Sequence, residues 1–302
     1  MKIYDLIIVG AGPAGITASV YAARKKMDFL VITGDIGGQT AWSGDIENYT
    51  GYQFVSGPDL VHKFEEHMRS YNTSVREGEG VIEVSKAGED ILVKTNKGAE
   101  FQAKAIIIAS GKRSRELFVP GEKEYKNKGI SYCATCDGPL FKAKAVAIIG
   151  GGNSALDAAL QLIKIAKHVY IINNTSQLGG DAIMRQKLEK SLNVDVLNNC
   201  KVLAILGAKL VSAIKLNYAG AEKMIPVEGV FVEIGLIPNS DFVQGAKRNT
   251  LGEIEINSRN ETNIPGIFAA GDVTDVPEKQ IIIAAGEGSK ACLSAFRYLS
   301  MH

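Results

Sequence analysis

Twice this sequence follows a short apolar run with a glycine-spaced turn and a small-residue helix, and nothing else in it restricts the fold as tightly. Ile3 to Val9 reads as a buried parallel strand, short, apolar and rich in β-branched residues. It runs into Gly10-Ala11-Gly12-Pro13-Ala14-Gly15 and then a helical stretch, Ile16 to Lys25. Ala145 to Ile149 likewise runs into Gly150-Gly151-Gly152-Asn153-Ser154-Ala155, followed by Leu156 to Ala166. Strand, Gly-x-Gly-x-x-Gly or Ala, and helix in that order form the Rossmann dinucleotide fingerprint. The first glycine permits the tight turn, and the second lets the backbone approach a pyrophosphate. The third small residue lets helix and strand pack closely, and the helix N-terminus faces the phosphates. One glycine pattern is weak evidence. Two of them, Gly150 standing 140 positions after Gly10, predict an α/β chain with two dinucleotide sites.

Between the two turns lies Ser131-Tyr132-Cys133-Ala134-Thr135-Cys136-Asp137-Gly138. Cysteines two residues apart can close a small ring, and a carboxylate follows directly. With four cysteines in all, a structural disulfide framework is not expected. A zinc site needs four ligands, yet Cys200 and Cys292 stand alone and no His lies near, so no metal is expected. Redox chemistry is therefore favoured over metal binding or coincidence. At 302 residues the chain has room for two domains, and a formal net charge of +1 argues against nucleic acid or an anionic membrane as partner. Leu6 to Val9 is too short to span a bilayer and leads into no cleavage site. Few cysteines and a Cys-x-x-Cys point to a reducing, cytoplasmic setting.

The remaining segments are read in chain order. Phe29 to Thr33 is a second strand ending near Asp35, either a ribose-binding acid or a turn residue beside Gly34. Leu60 to Tyr71 has helical periodicity, with His62 and His67 on its polar surface. Val81 to Val84, Ile91 to Thr95 and Phe101 read as small antiparallel strands, and Ala105 to Ala109 as a separate apolar strand. Gly121-Glu122-Lys123 reads as a polar loop crossing between domains; in the second half, Val169 to Ile172, Val196 to Leu206, Ser212 to Tyr218 and Val230 to Ile234 read as strands, and Pro238-Asn239 opens a second crossover. Gly266 to Asp272 is a strand ending in Gly271-Asp272, followed by a long helix, Lys279 to Leu299. Asp272 is either a ligand of a flavin's ribityl chain or a cap for the next turn.

Taken together, Val9 to Gly15, Gly37-Gly38-Gln39, Cys133 to Asp137, Gly150 to Ser154 and Phe268 to Asp272 make the chain resemble the low-molecular-weight thioredoxin reductases over its whole length. The tail Lys279 to Gly288 is similar also to the flavoprotein component of alkyl hydroperoxide reductase. That relative carries an extra thioredoxin-like N-terminal portion; this chain begins at the first dinucleotide strand, so such an acceptor is expected to be a separate protein. The resemblance implies a three-layer ββα architecture with the second domain inserted into the first. An FAD domain would span 1–113 and 243–302, and a pyridine-nucleotide domain carrying the cysteines 114–242. It implies a homodimer as well. FAD is expected on Gly10, Gly12, Pro13, Ala14, Gly15, Asp35, Gly38, Gln39, Thr40, Asn48, Val81, Gly111, Gly271, Asp272, Lys279, Gln280 and Ile281. A nicotinamide nucleotide is expected on Gly150, Gly152, Asn153, Ser154, Ala155 and Asn173. Cys133 and Cys136 would form the redox disulfide, with Asp137 as acid–base residue, and the acceptor would be a thioredoxin- or glutaredoxin-like protein.

One departure bears on the donor. NADPH-using members of the resembled family carry His-Arg-Arg-x-x-x-Arg where this chain has Asn173-Asn174-Thr175-Ser176-Gln177-Leu178-Gly179. The arginine grip on a 2′-phosphate is missing, and so is the glutamate that NADH-using relatives place at Asn173. NADH is expected ahead of NADPH, and ferredoxin is the rival donor. Two further classes stand beside a disulfide reductase: a flavin oxidoreductase with no disulfide step, which needs no Cys-x-x-Cys, and a flavin-binding module with an empty second pocket.

Overall fold

The computed structural model describes residues 2–43, 45–46 and 48–301, and the backbone alone of Trp42, Asp45, Thr135 and Cys136. The chain divides into two compact units. Met1–Arg113 and Ile237–His302 make the first, and Ser114–Leu236 the second. The return crossing thus falls at Leu236–Ile237 rather than at 242–243. Residues 237–242 stay with the first unit because their polar groups are tied there. Ser110 Oγ donates to Asn239 O at 2.6 Å, Asn239 Nδ2 donates to Ser110 O at 2.9 Å, and Val84 N donates to Phe242 O at 2.8 Å.

In the first unit the strands Val75–Glu77, Phe29–Ile36, Ile3–Ala11 and Glu100–Ile108 lie side by side and parallel. Glu100–Ile108 is a single strand, not one at Phe101 and another over Ala105 to Ala109. Nothing between them breaks an extended chain, and the strand changes partner halfway. Its first half pairs antiparallel with Asp90–Thr95, which pairs in turn with Val81–Ala87. Its last residues pair parallel with Ile267–Ala269, in the register Ile267 to Ile106. Alternation along the parallel strands splits the core in two. Leu6, Ile8, Val31 and Ile107 face helices Pro13–Arg24 and Ile281–Leu299, while Ile7, Val9, Ile32 and Ile106 face Val84, Ile91 and Val93 of the antiparallel meander. The result is a layer of helix, a parallel sheet and a smaller antiparallel sheet.

The two long helices meet through small residues. A Cβ on Gly288 would lie 2.0 Å from the carbonyl oxygen of Ala14, a distance no methyl tolerates. Ala18, Ala22, Ala291 and Ala295 are buried in the same cluster. The same unit holds a buried ion cluster. Lys112 Nζ and Lys279 Nζ approach Glu253 Oε1 at 2.8 and 3.0 Å, and Asn249 Nδ2 donates to Oε2 at 2.7 Å. Burial would raise the Glu253 carboxyl, but hydrogen bonds from Lys112, Asn249 and Lys279 outweigh it and hold its pKa at about 2.

The second unit repeats the plan. Ile130–Ser131, Gly229–Val232, Ala145–Ile149, His168–Ile172 and Val194–Leu197 form a parallel sheet in that order. Cys200–Gly207, Val211–Tyr218 and Ala221–Pro226 form an antiparallel one. The stretch Val196 to Leu206, expected as one strand, is therefore two strands in different sheets. The chain leaves the first at Asn198–Asn199, where Asn199 takes a left-handed φ of 52°, a conformation asparagine adopts more readily than most residues. Helix Asn153–Leu162 packs on one face against Val146, Ile148 and Phe231, and the antiparallel sheet covers Ile149, Ile172 and Val230 on the other. Each unit is thus a Rossmann-like three-layer domain. Among the described residues no helix is long and apolar enough to cross a membrane.

Two expectations follow. Gly288→Ala destabilises the protein by on the order of 1–3 kcal/mol, read as a lower midpoint of thermal unfolding. Gly286→Ala, whose added methyl meets nothing within 4 Å, leaves it unchanged or raises it. Glu253 has a folded pKa below its ordinary 4.5, so its contribution is full above that value and is lost as pH falls toward about 2. Glu253→Gln then costs on the order of 3 kcal/mol at pH 7. The difference from the natural protein shrinks as unfolding is measured at successively lower pH between those limits.

Candidate functional site

Both glycine turns sit where a parallel strand ends and a helix begins. Gly12 is the N-cap of Pro13–Arg24, and Gly152 the N-cap of Asn153–Leu162, each with extended backbone. Space lies open above both. A Cβ on Gly12 would meet only Gly37 O, at 4.0 Å, and one on Gly152 would meet nothing within 4 Å. The first amides of each helix have no partner within the helix and point toward that space. A pyrophosphate fits such a cradle, and a side chain at either glycine would fill it. Gly15 serves packing instead: its Cβ would strike Gly10 O at 1.9 Å.

Around the first turn the fold gathers residues far apart in sequence. Gly37 N donates to Ala11 O at 2.7 Å, and Gly38 lies against Gly12. Gln39 is in the short helix Gly38–Trp42, where Thr40 is buried, and its Nε2 donates to Lys112 O at 3.2 Å, one residue beyond Gly111. Gly271 lies against Ala14, and Asp272 is the middle residue of the short helix Gly271–Val273. Burial raises the Asp272 carboxyl, while the charges of Lys279 and Lys112 draw it back down. Asn48 Nδ2 donates to Gln280 Oε1 at 3.0 Å, at the N-cap of the helix that begins with Ile281. Glu79 N donates to Thr33 O at 3.0 Å, which brings the segment before Val81 beside the end of the second strand. Asp35 is exposed at that end, and its own backbone carbonyl accepts from Thr33 Oγ1 at 2.5 Å. Glu47 lies outside the described residues.

The second turn opens into a cavity of about 590 Å³ lined by Gly150 to Ser154, Asn174, Lys201, Glu233 and Arg115. Ala155 is buried beneath it in the core. Asn173 does not line it. Its side chain is 2% exposed and is bonded to Thr175 and Asn198 within the fold.

Cys133 is in a disulfide, whereas Cys200 and Cys292 are free and buried. The side chain of Cys136 lies outside the described residues. Ser131 Oγ accepts from Cys133 N at 3.0 Å, Asp137 N donates to Cys133 O at 3.2 Å, and Asp137 closes the single turn Ala134–Asp137 half-buried. The segment before it is anchored by Glu122, which in the sequence is one more polar residue of a loop. Glu122 is buried and accepts from Leu117 N and Phe118 N, each at 2.7 Å, and from Tyr132 Oη at 2.8 Å. Burial and that carboxylate together push the Tyr132 phenol well above its usual range. Glu233 is a second site residue that sequence reasoning misses, although a charge directly after the apolar run Val230-Phe231-Val232 is itself a signal. Burial and the Asp157 charge raise its carboxyl to about 7, opposed by a hydrogen bond from Ala134 N. Among the described residues no group of His, Cys, Asp or Glu could hold a metal ion.

Known proteins agree with this geometry. A family described as pyridine nucleotide-disulphide oxidoreductase matches residues 4–288. The F component of the alkyl hydroperoxide reductase of Pseudomonas aeruginosa is 43% identical over 303 residues, which cover 98% of this chain and 58% of that protein. A protein named NADH dehydrogenase from Ferdinandcohnia aciditolerans is 40% identical over 300 residues, covering 98% and 57%. The chain thus spans somewhat more than half the length of these curated relatives. The structure of Lactococcus lactis thioredoxin reductase in its FR conformation superposes with a TM-score of 0.90 at 34% identity, over 99% of this chain and all of that one. Fold, paired turns and sequence likeness lead to one conclusion: the chain is an oxidoreductase that belongs to the pyridine nucleotide-disulphide oxidoreductase family.

Proposed function

We propose that the protein is an FAD-dependent disulfide reductase that passes electrons through Cys133 and Cys136 to a thioredoxin- or glutaredoxin-like protein, with NADH favoured over NADPH as donor. The observation that carries this reading is the pairing of two open dinucleotide cradles with a disulfide-bonded Cys133, which shares a unit with the second cradle. The names of the relatives, a component of a peroxide reductase and an NADH dehydrogenase, support the same class.

In this reading the first unit holds FAD. The helix amides after Gly12 take its pyrophosphate, Asp272 its ribityl hydroxyls, and Gln39, Asn48, Lys279 and Gln280 line the rest. When bound, FAD supplies a two-electron carrier between the nucleotide and the disulfide. The second unit takes the nicotinamide nucleotide over Gly150, Gly152, Asn153 and Ser154. Reducing the Cys133–Cys136 bond takes two electrons and two protons and leaves two thiols. Cys133 as thiolate attacks the acceptor's disulfide, and Cys136 then displaces the acceptor as a dithiol and restores the bond. Asp137, at the end of the same turn, handles the proton. NADH is favoured because Asn173 to Gly179 contains no arginine to grip a 2′-phosphate. We place the protein in the cytoplasm as a homodimer.

Cys136→Ser should purify yellow with a full complement of FAD and lose at least a thousandfold in reduction of a thioredoxin-like substrate. Turnover within tenfold of the natural protein would refute the assigned role. In anaerobic titrations followed at the flavin band, NADH should bleach the cofactor at lower concentration than NADPH. Bleaching by reduced ferredoxin and by neither nucleotide would overturn the donor assignment and leave the disulfide step standing.

A further inference from the structure

The residue that the fold places at the ribose position of the second pocket is not free to read a ribose. Asn173 follows the strand His168–Ile172, where a Rossmann domain puts the acid that binds the adenosine 2′-hydroxyl. Its Nδ2 donates to Asn198 Oδ1 at 2.8 Å and to Thr175 O at 3.2 Å, and its Oδ1 accepts from Thr175 Oγ1 at 3.0 Å. The amide also packs over Gly151, where a Cβ would stand 2.4 Å from Asn173 Oδ1. Both of its donor hydrogens, and its oxygen, are thus engaged inside the protein.

Two other polar side chains take over that end of the cavity. Asn174 is exposed and lines it. Lys201 lines it from the neighbouring strand, and the backbone fixes where it stands: Cys200 N donates to Asn173 O at 2.9 Å, and Lys201 is the next residue. The other lining cation, Arg115, stands beside the segment that follows Gly229–Val232, a strand that Ala145–Ile149 separates from His168–Ile172: Arg115 N donates to Gly235 O at 3.0 Å, two residues beyond Glu233. Lys201 is exposed, and none of the ion pairs of the described residues engages it.

On the reading that this cavity takes a nicotinamide nucleotide, we propose that Lys201 contacts the adenosine 2′-phosphate, so that the pocket accepts the 2′-phosphorylated dinucleotide as well as the unphosphorylated one. A lysine is a point charge and lacks the bidentate fork of arginine, so this contact is weaker than the family's arginine grip and leaves NADH ahead. An uncharged 2′-hydroxyl gains little from it. The charge therefore bears on the difference between the two nucleotides more than on binding as such.

Isothermal titration of the FAD-loaded protein with ADP-ribose and with 2′-phospho-ADP-ribose tests this without turnover. Both should bind, the phosphorylated probe within about tenfold of the other. Lys201→Gln should weaken the phosphorylated probe about tenfold and shift ADP-ribose less than twofold, while Lys201→Arg keeps the phosphorylated probe bound. Arg115→Gln should weaken both probes alike. Equal weakening of both by Lys201→Gln, or an unchanged affinity for the phosphorylated probe, overturns the proposal. Binding of ADP-ribose alone, with no binding of the phosphorylated probe at millimolar concentration, overturns the proposal and leaves the pocket assignment standing, whereas failure of both probes, with FAD in place, overturns the pocket assignment and the proposal with it. Lys201 is exposed, so its variants should fold, and an unchanged flavin spectrum verifies that.

Discussion

Everything distinctive in this fold depends on backbone meeting backbone at the junction of strand and helix. Gly15 rests against the carbonyl of Gly10, and Gly288 against that of Ala14. A single methyl at either place would push a helix off its neighbour, and with it the row of amides at the helix start. The open space above Gly12 exists because its neighbours are held so close. Anion affinity in such a turn is thus a by-product of packing. The same few residues fix the core and the cradle, which is why the motif shows so clearly in the sequence.

That explains which parts could be read without coordinates. The two glycine turns, the strands feeding them and the long C-terminal helix are dictated by local sterics and apolar runs, and the α/β architecture follows from them. Local patterns mislead where tertiary pairing decides. Glu100–Ile108 is one strand because two different partners share it, and no local pattern announces that. Val196 to Leu206 crosses between sheets at an asparagine pair that reads, in sequence, as a polar interruption of a strand. At the candidate sites the glycines are legible, whereas most of the buried carboxylates are not. Glu122 and Glu253 gain their environments from residues beyond their own segments, and neither follows an apolar run that would hint at burial, as the run Val230 to Val232 does for Glu233.

Those carboxylates also show how differently a protein can treat the same group. Glu253 sits between two lysines and an asparagine and is held ionised far below the usual range. Glu233 has the backbone amide of Ala134 in its favour and the Asp157 charge against it, and burial, the largest influence, raises its carboxyl to about 7. The first is a fixed part of the scaffold of the first unit. The second changes charge over the pH range of a cell, on the wall of the cavity that also holds Arg115.

The fork in the strand Glu100–Ile108 has a consequence for how the molecule comes to exist. The parallel partner of its last residues, Ile267–Ala269, and the helix that covers that face, Ile281–Leu299, are made only after the whole of Ser114–Leu236. That inserted stretch is continuous and able to collapse on its own contacts while the first unit still lacks a strand and a wall. The nascent N-terminal half therefore waits with the apolar side of Ala105 and Ile107 uncovered by that strand and helix, and the order of birth of the two units is the reverse of their order of completion.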